Sequence, residues 1–144
     1  MIKVIAITGI PGTGKTYLAK KIAKHFNYQY INVKKLLKKN NLLINYDFKA
    51  KTYNVDVKKM NKLLIALIKK SKNNLVIDSH LAHYLPKKYV NLCIVCKCDL
   101  KELKKRLVKR GYSKQKIREN LDAEIFDVCY IEAVERKHKV VTYK

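Results

Sequence analysis

Short apolar runs alternate with segments of helical periodicity along the whole chain. The runs with the composition of strands are IKVIAI at 2–7, YQYINV at 28–33, NLVID at 74–78, LCIVC at 92–96 and HKVVTYK at 138–144. Between the first two, segment 15–26 places Leu18, Ile22 and Phe26 on one helical face. Strands that alternate with helices in this way predict an α/β fold, in which a parallel sheet carries helices on both faces.

The middle of the chain contains the clearest amphipathic segment. Residues 56–70 predict a helix with Asp56 as its N-cap, and its apolar stripe consists of Val57, Met60, Leu63, Leu64, Leu67 and Ile68. Before it, KKLLKKNNLL at 34–43 predicts a short helix, and NYDFKAKTYN at 45–54 predicts a polar loop.

Two more helices are predicted near the C-terminal end. Asp99 precedes a helix at 100–110, and Gly111 ends it in the left-handed conformation that glycine favours. Ser113 caps a long helix through about residue 136, with helical spacing of Ile117, Leu121, Ile125 and Val128. No repeat or linker interrupts the pattern, so residues 1–144 are expected to form a single domain.

The eight residues GIPGTGKT at 9–16 follow the first strand directly and have the spacing Gly-x-x-x-x-Gly-Lys-Thr of a phosphate-binding loop. Glycines let the backbone point several N–H groups at one anion. Lys15 then reaches the outer phosphates, and the Thr16 hydroxyl is a ligand for Mg²⁺. A glycine-rich turn can match by chance, but here strand, loop and helix occur in the required order. We therefore predict a site for a nucleoside triphosphate.

Asp78 ends the apolar strand at 74–78, where phosphate-loop enzymes place a carboxylate that holds Mg²⁺ through water. An apolar strand that ends in aspartate is common, so this prediction depends on the phosphate loop in the same chain. His80 follows two residues later. A neutral imidazole there can orient a water for attack on the γ-phosphate. A surface histidine in a loop is the alternative, and the residues alone do not distinguish the two.

Arg106 and Arg110 are two of only four arginines in a chain rich in lysine. They are one helical turn apart, so their side chains are expected to project together. A guanidinium bridges phosphate oxygens or stacks on a base in ways that an ammonium does not. This functional interpretation is favoured more for Arg110, beside the loop at Gly111, than for Arg106. The alternative for both is an ordinary cation at the end of a helix.

The chain has 33 lysines and arginines against 11 acidic residues, a formal charge of +22. Such a surface attracts nucleic acid through counterion release, although a codon bias toward A and T would produce a lysine excess without any function. With 48% apolar residues the chain is not disordered. No apolar run reaches the roughly 18–20 residues of a membrane span, and MIKVIAITG does not resemble a signal peptide. We expect a cytoplasmic protein with no membrane partner.

Cys93 and Cys96 lie three residues apart in a strand-like run and therefore face opposite sides of a sheet. They cannot easily share a metal ion, and no second cysteine pair completes a zinc site. Reduced cysteines in the core are expected.

These residues carry a resemblance to a known family. GIPGTGKT, YINV, VIDSH, RLVKRGY, Asn120 and EIF at 124–126 occur in this order in the adenylate kinase isoenzyme six family of eukaryotes and archaea, also called CINAP. The chain resembles this family over nearly its whole length. The phosphate loop is generic, whereas Asp-x-His and Arg-Gly-Tyr followed by Asn and Glu-Ile-Phe are more specific.

The resemblance implies a P-loop nucleoside monophosphate kinase fold with five parallel strands, a monophosphate-binding segment near 32–55 and a short lid near 109–119. It also implies ATPase activity and a role in late maturation of the small ribosomal subunit, with transient binding to ribosomal protein S eleven. By position, Asp78 and His80 match the family's Asp-x-His pair, and Arg110 would close on the nucleotide. The triphosphate would be held by Gly12, Thr13, Gly14, Lys15, Thr16 and Tyr17.

The chain departs from the family at three places. Tyr17 stands where a small hydroxyl residue is usual, although its backbone N–H is retained. Segment 32–55 lacks several acids that relatives carry, which leaves the monophosphate and the partner surface open. Relatives continue beyond VVTYK through a base-contacting loop into a further helix, so a weaker grip on adenine and a lower stability are expected here.

Three functions remain in competition. The leading hypothesis is an adenylate kinase-like enzyme that transfers the γ-phosphate of ATP to AMP or a related monophosphate, with slow hydrolysis as a side reaction. The alternative is an assembly factor whose ATP cycle controls binding to a ribosomal protein or rRNA, with kinase turnover incidental. The third is a kinase that acts on RNA ends.

Overall fold

The computed structural model describes residues 1–47 and 52–144. In these ranges the strands are β1 (Val4–Gly9), β2 (Gln29–Asn32), β3 (Leu43–Asp47), β4 (Thr52–Val55), β5 (Leu75–Asp78), β6 (Leu92–Cys96) and β7 (Val140–Tyr143). The α-helices are α1 (Lys15–Phe26), α2 (Val33–Lys39), α3 (Val57–Lys70), α4 (Leu100–Lys109), α5 (Lys114–Ile125) and α6 (Val128–Glu135). Two short 3₁₀ turns, Ala82–Tyr84 and Lys87–Tyr89, connect β5 to β6.

Five strands form a parallel sheet in the order β2-β5-β1-β6-β7, which confirms the predicted five-stranded parallel sheet. The register pairs Asp78 with both Ile7 and Asn32, so the carboxyl ends of β1, β2 and β5 lie at the same edge. A ligand site is expected at this edge of an open α/β sheet.

Helices cover both faces of the sheet, as predicted. On one face α1 packs through Leu18, Ala19 and Ala23. The larger cluster on the other face includes residues of α2 to α6. Cys93 belongs to this larger cluster and Cys96 to the one beneath α1, so the two thiols lie on opposite faces as predicted.

The predicted helix caps are present. The side chains of Asp56, Asp99 and Ser113 accept hydrogen bonds from backbone N–H groups in the first turns of α3, α4 and α5, at 3.2, 3.4 and 3.1 Å. Gly111 has a φ of 78° just after α4, in the left-handed region that glycine favours. These local signals fixed where the three helices begin and where α4 ends.

One predicted loop and one predicted core residue are wrong. The polar loop predicted at 45–54 is instead part of an antiparallel pair of strands, β3 and β4, while residues 48–51 lie outside the described residues. The β-branched and aromatic residues of LINYD and TYNV favour strands. Phe26, expected on the packed face of α1, is 57% exposed and contacts the rings of His25 and Tyr28.

The long helix predicted from Ser113 to about residue 136 is two helices. Asp127 adopts a left-handed φ of 53° between α5 and α6. The Lys97 ammonium lies 2.6 Å from the Glu124 carboxylate, 3.0 Å from the Glu124 carbonyl and 2.5 Å from the Asp127 carboxylate, and these contacts stabilise the break. Ile125 and Val128, predicted on a buried stripe, are therefore exposed.

Candidate functional site

The phosphate-loop sequence forms a tight turn between β1 and the N-terminus of α1. Gly12 and Gly14 have φ values of 91° and 92°, which residues with a side chain rarely adopt. Thr13 is buried, and its hydroxyl donates to the Ile10 carbonyl at 2.7 Å. The Lys15 ammonium donates to the same carbonyl at 3.3 Å. The loop is thus folded around its own backbone at the start of a 12-residue helix, a position suited to an anion.

Asp78 is buried next to this loop and contacts Thr16 directly. The hydroxyls of Thr16 and Tyr30 each donate to Oδ2 of Asp78 at 2.7 Å. Burial and the bond to Asp78 raise the pKa of Tyr30 to about 12, so its phenol stays protonated as a donor. A carboxylate and two hydroxyls therefore meet beside the phosphate loop.

A cleft of about 380 Å³ opens in front of these residues. Its walls come from the phosphate loop, the start of α2, the segment after β5, the turn after α4, and α5 with α6. Among the predicted site residues, the cleft brings together Lys15, Thr16, Asp78, His80 and Arg110.

His80 lies in the cleft with its side chain exposed to water. Desolvation by the surrounding protein lowers the pKa of His80, and the charges of Lys15, Lys116 and Lys34 act in the same direction. Water reaches the ring and screens part of this effect. The imidazole is neutral at pH 7, as orientation of a water requires.

The Lys15 side chain is only partly accessible to solvent. Burial lowers the pKa of Lys15 below its ordinary value, while the nearby Asp78 carboxylate acts in the opposite direction and Arg110 adds to the lowering. The charge of Lys15 is therefore only partly compensated by Asp78.

Arg106 and Arg110 occupy different places. Arg110 lines the cleft. Arg106 donates from Nη1 to the Gly12 carbonyl at 2.9 Å, and its Nε lies 3.3 Å from the Glu102 carboxylate. It therefore supports the backbone of the phosphate loop. Tyr17 is 70% exposed.

Sequence reasoning missed several polar residues of the cleft. Tyr30 reaches Asp78 from the neighbouring strand, and Lys34 lines the cleft at the start of α2. Lys116 and Asn120 line it from α5, one helical turn apart. Asn120 entered the sequence analysis only as part of the family resemblance, without a role in the site. Asn120 is 7% exposed, and its amide nitrogen has no hydrogen-bond partner within residues 1–47 and 52–144.

In the part of the chain that the structure describes, no helix is both long and apolar enough to cross a membrane.

Comparison with known proteins identifies relatives along most of the chain. The model of a family described as "AAA domain" matches residues 5–127. A protein of Methanocaldococcus jannaschii named "Putative adenylate kinase" is 35% identical over 138 residues, which cover 96% of this chain and 76% of the relative. The "Adenylate kinase isoenzyme 6 homolog" of Schizosaccharomyces pombe is 39% identical over 131 residues, which cover 91% and 74%.

Solved structures show the same fold. Shikimate kinase from Acinetobacter baumannii, in complex with shikimate, matches with a TM-score of 0.65 at 13% identity and covers 100% of this chain and 85% of its own. Deoxyadenosine kinase from M. mycoides matches with a TM-score of 0.56 at 21% identity, covering 98% and 89%. At these identities the likeness concerns the fold alone.

Proposed function

The chain belongs to the adenylate kinase isoenzyme six family, a family of adenylate kinase-like phosphotransferases, and on this premise we propose that it transfers the γ-phosphate of ATP to AMP or a related monophosphate. The observation that carries the proposal is the convergence of a phosphate loop, a buried carboxylate and several cations on one cleft. Its cationic side chains belong to Lys15, Lys34, Arg110 and Lys116. Phosphoryl transfer depends mainly on position and on stabilisation of negative charge, which this set supplies.

The triphosphate is proposed to lie along the phosphate loop, held by backbone N–H groups from Gly12 to Tyr17 and by the Lys15 ammonium. A bound anion there would stabilise the charged form of Lys15, which burial disfavours. Arg110 would contact the same phosphates from the lid at 109–119.

Thr16 and Asp78 fit Mg²⁺ by their chemistry, since both offer the hard oxygen atoms that this cation prefers. The Thr16 hydroxyl already lies 2.7 Å from Asp78 Oδ2. We propose that Thr16 ligates the ion directly and that Asp78 holds it through water. Bound Mg²⁺ would neutralise charge on the β- and γ-phosphates.

The acceptor monophosphate is proposed to enter from the segment at 32–55, whose described part includes Lys34 at the cleft. On the opposite side, the Asn120 amide nitrogen and the Lys116 ammonium are donors that a phosphate would satisfy. His80, neutral at pH 7, would orient the water in the slower hydrolytic reaction.

A second candidate function is an ATP-dependent assembly factor, favoured by the formal charge of +22. α3 exposes a row of lysines to solvent: Lys58, Lys59, Lys62, Lys69 and Lys70. Such a surface fits rRNA during small-subunit maturation, with ribosomal protein S eleven as the protein partner that the family resemblance implies. ATP hydrolysis would then control release.

ATP consumption measured with AMP, without an acceptor and with RNA separates the functions. We expect the fastest turnover with AMP. Stimulation by RNA alone, with no transfer to AMP, would favour the assembly factor, and labelled phosphate on RNA ends would indicate an RNA kinase.

His80→Ala tests the proposed division of labour within the site. We expect hydrolysis to fall more than transfer to AMP, because a monophosphate supplies its own nucleophile and depends less on an oriented water. Equal losses in the two reactions would show that His80 has a structural or shared electrostatic role instead.

A further inference from the structure

His83 is a buried hub between the phosphate-loop strand and the far side of the cleft. Its side chain is 1% exposed. Nδ1 lies 2.7 Å from the Thr8 hydroxyl on β1, and Nε2 lies 3.2 Å from Oε1 of Glu132 on α6. Its carbonyl accepts a hydrogen bond from Nε2 of His138 at 2.9 Å. The side chains of this network belong to none of the site residues that the sequence predicted.

Thr8 connects the hub to the candidate active site. It is fully buried and directly precedes Gly9, where the phosphate loop begins. Besides His83, its hydroxyl lies 3.2 Å from the carbonyl oxygen of His80. The same oxygen atom of Thr8 therefore faces a ring nitrogen and the backbone of the segment that carries His80 into the cleft.

A count of protons shows that these contacts compete. A carboxylate at Glu132 only accepts, so the bond to Nε2 of His83 needs a proton on Nε2. In the neutral ring Nδ1 then accepts, and the single hydroxyl proton of Thr8 goes to it. The His80 carbonyl receives that proton only when Nδ1 is itself protonated. Glu132 thus decides where Thr8 donates.

The surroundings of His83 favour the neutral ring. Burial lowers the pKa of His83, and Arg136 just after α6 and His138 before β7 act in the same direction, while Glu132 opposes them. His80 in the cleft also interacts with His83. The remaining neighbour, the Tyr84 hydroxyl, donates to Oε2 of Glu132 at 2.5 Å, and this bond together with burial raises the pKa of Tyr84 to about 12.

We propose that Glu132 and His83 are positioning residues. Glu132 fixes the proton of His83 on Nε2, and His83 accepts the hydroxyl proton of Thr8. Thr8 is thereby committed to His83 and does not donate to the His80 carbonyl 3.2 Å away, which sets where the His80 segment lies against the phosphate loop. In Glu132→Gln the Tyr84 hydroxyl still donates to the remaining side-chain oxygen, so the amide NH₂ faces Nε2 and donates to it. This moves the ring proton to Nδ1 and turns the Thr8 hydroxyl toward the His80 carbonyl.

The first test is the ¹⁵N spectrum of the His83 ring, assigned by its loss in His83→Gln. We expect the Nε2–H tautomer in the wild type and a shift toward Nδ1–H in Glu132→Gln. Tyr84→Phe is the matched control, because it removes the other bond to Glu132 and leaves His83 untouched. An unchanged tautomer in Glu132→Gln, or an equal shift in Tyr84→Phe, would overturn the proposal.

The second test measures rates and rests on the proposed phosphotransfer, whereas the spectrum does not. Since small displacements of catalytic groups are costly, we expect kcat in Glu132→Gln to fall on the order of tenfold, with KM for ATP nearly unchanged. Thr8→Val should cause a similar loss and Thr8→Ser should retain the rate. Full activity in Thr8→Val would overturn the proposal. This variant tests the proposal even if Glu132→Gln does not fold.

Discussion

The two walls of the cleft are built in different ways. One wall is the phosphate loop with Asp78, where eight consecutive residues and one neighbouring strand end provide most of the arrangement. The other wall brings Arg110, Lys116, Asn120 and Glu132 together from the end of α4, from α5 and from α6. The first wall depends on local backbone conformation and the second on how helices pack. Their responses to substitution should therefore differ.

Lys15→Ala should have the largest effect on activity, because it removes the main cation of the local wall. Loss of one such charge contact typically costs on the order of 10²–10³ in rate. Burial lowers the pKa of Lys15, so the folded protein gains little from the charge, and we expect no loss of thermal stability. A coupled assay of ATP turnover and a thermal melt check both statements.

The matched control is Lys24→Ala, which removes an exposed lysine from the last turn of α1. Near-wild-type turnover in Lys15→Ala, or equal losses in the two variants, would contradict the assignment of the phosphate loop.

Arg110→Ala and Arg106→Ala compare the two walls directly. Arg110 belongs to the packed wall and lines the cleft, so we expect its loss to lower kcat/KM for ATP by roughly 10–10², with an unchanged melting temperature. Arg106 supports the Gly12 carbonyl from outside, so its loss should affect the rate less and the melting temperature more. The reverse pattern would place Arg106 in the reacting site.

The same difference explains what the sequence predicted. The phosphate loop, Asp78 at a strand end and the caps at Asp56, Asp99 and Ser113 are signals within a few residues, and the structure has all of them. Asn120 and Tyr30 reach the cleft only through packing and strand order, which no local spacing encodes.

The wrongly predicted long helix also reflects a contact between distant parts of the chain. The break between α5 and α6 depends on Lys97, which lies about thirty residues earlier in the chain and binds both Glu124 and Asp127. Helical periodicity alone could not reveal this contact, because the apolar spacing continues across the break.

The pH dependence of stability should report the buried hub of the packed wall. Burial holds the pKa of folded His83 below its ordinary value of 6.5, so the unfolded chain binds a proton at higher pH than the folded one. The free energy of unfolding should therefore fall as the pH drops below about 6.5. His83→Gln should flatten this slope, as measured by urea unfolding between pH 5 and 7.5.

His80 contributes to the slope with the same sign and is present in both proteins, so the difference reports His83 together with its effect on His80. His25→Gln, at the exposed end of α1, is the control for removal of a histidine. An equal change of slope in both variants would argue against a special role for the hub.

The smallest expected effect concerns the lysines of α2 at the rim of the cleft. The question is whether these lysines bind RNA or a phosphate ligand, or only keep the surface solvated. Each phosphate neutralised adds roughly 0.7–0.9 to the log–log slope of RNA affinity against salt, so a surface that engages about five phosphates gives a slope near four. Positive charge without a dedicated surface would also bind RNA, but the binding would then be distributed over the whole protein. The test replaces four exposed lysines of α2 with Gln: Lys34, Lys35, Lys38 and Lys39.

Four exposed lysines on α4 provide a charge-matched control on another helix: Lys101, Lys104, Lys105 and Lys109. We expect the α2 set to lower the slope modestly more than the α4 set, because Lys34 lines the cleft and a monophosphate-binding segment must already attract anions. Equal reductions, measured by fluorescence anisotropy on rRNA fragments over a salt series, would show that the lysine excess is background charge. The difference between the two walls would then concern only the residues that line the cleft.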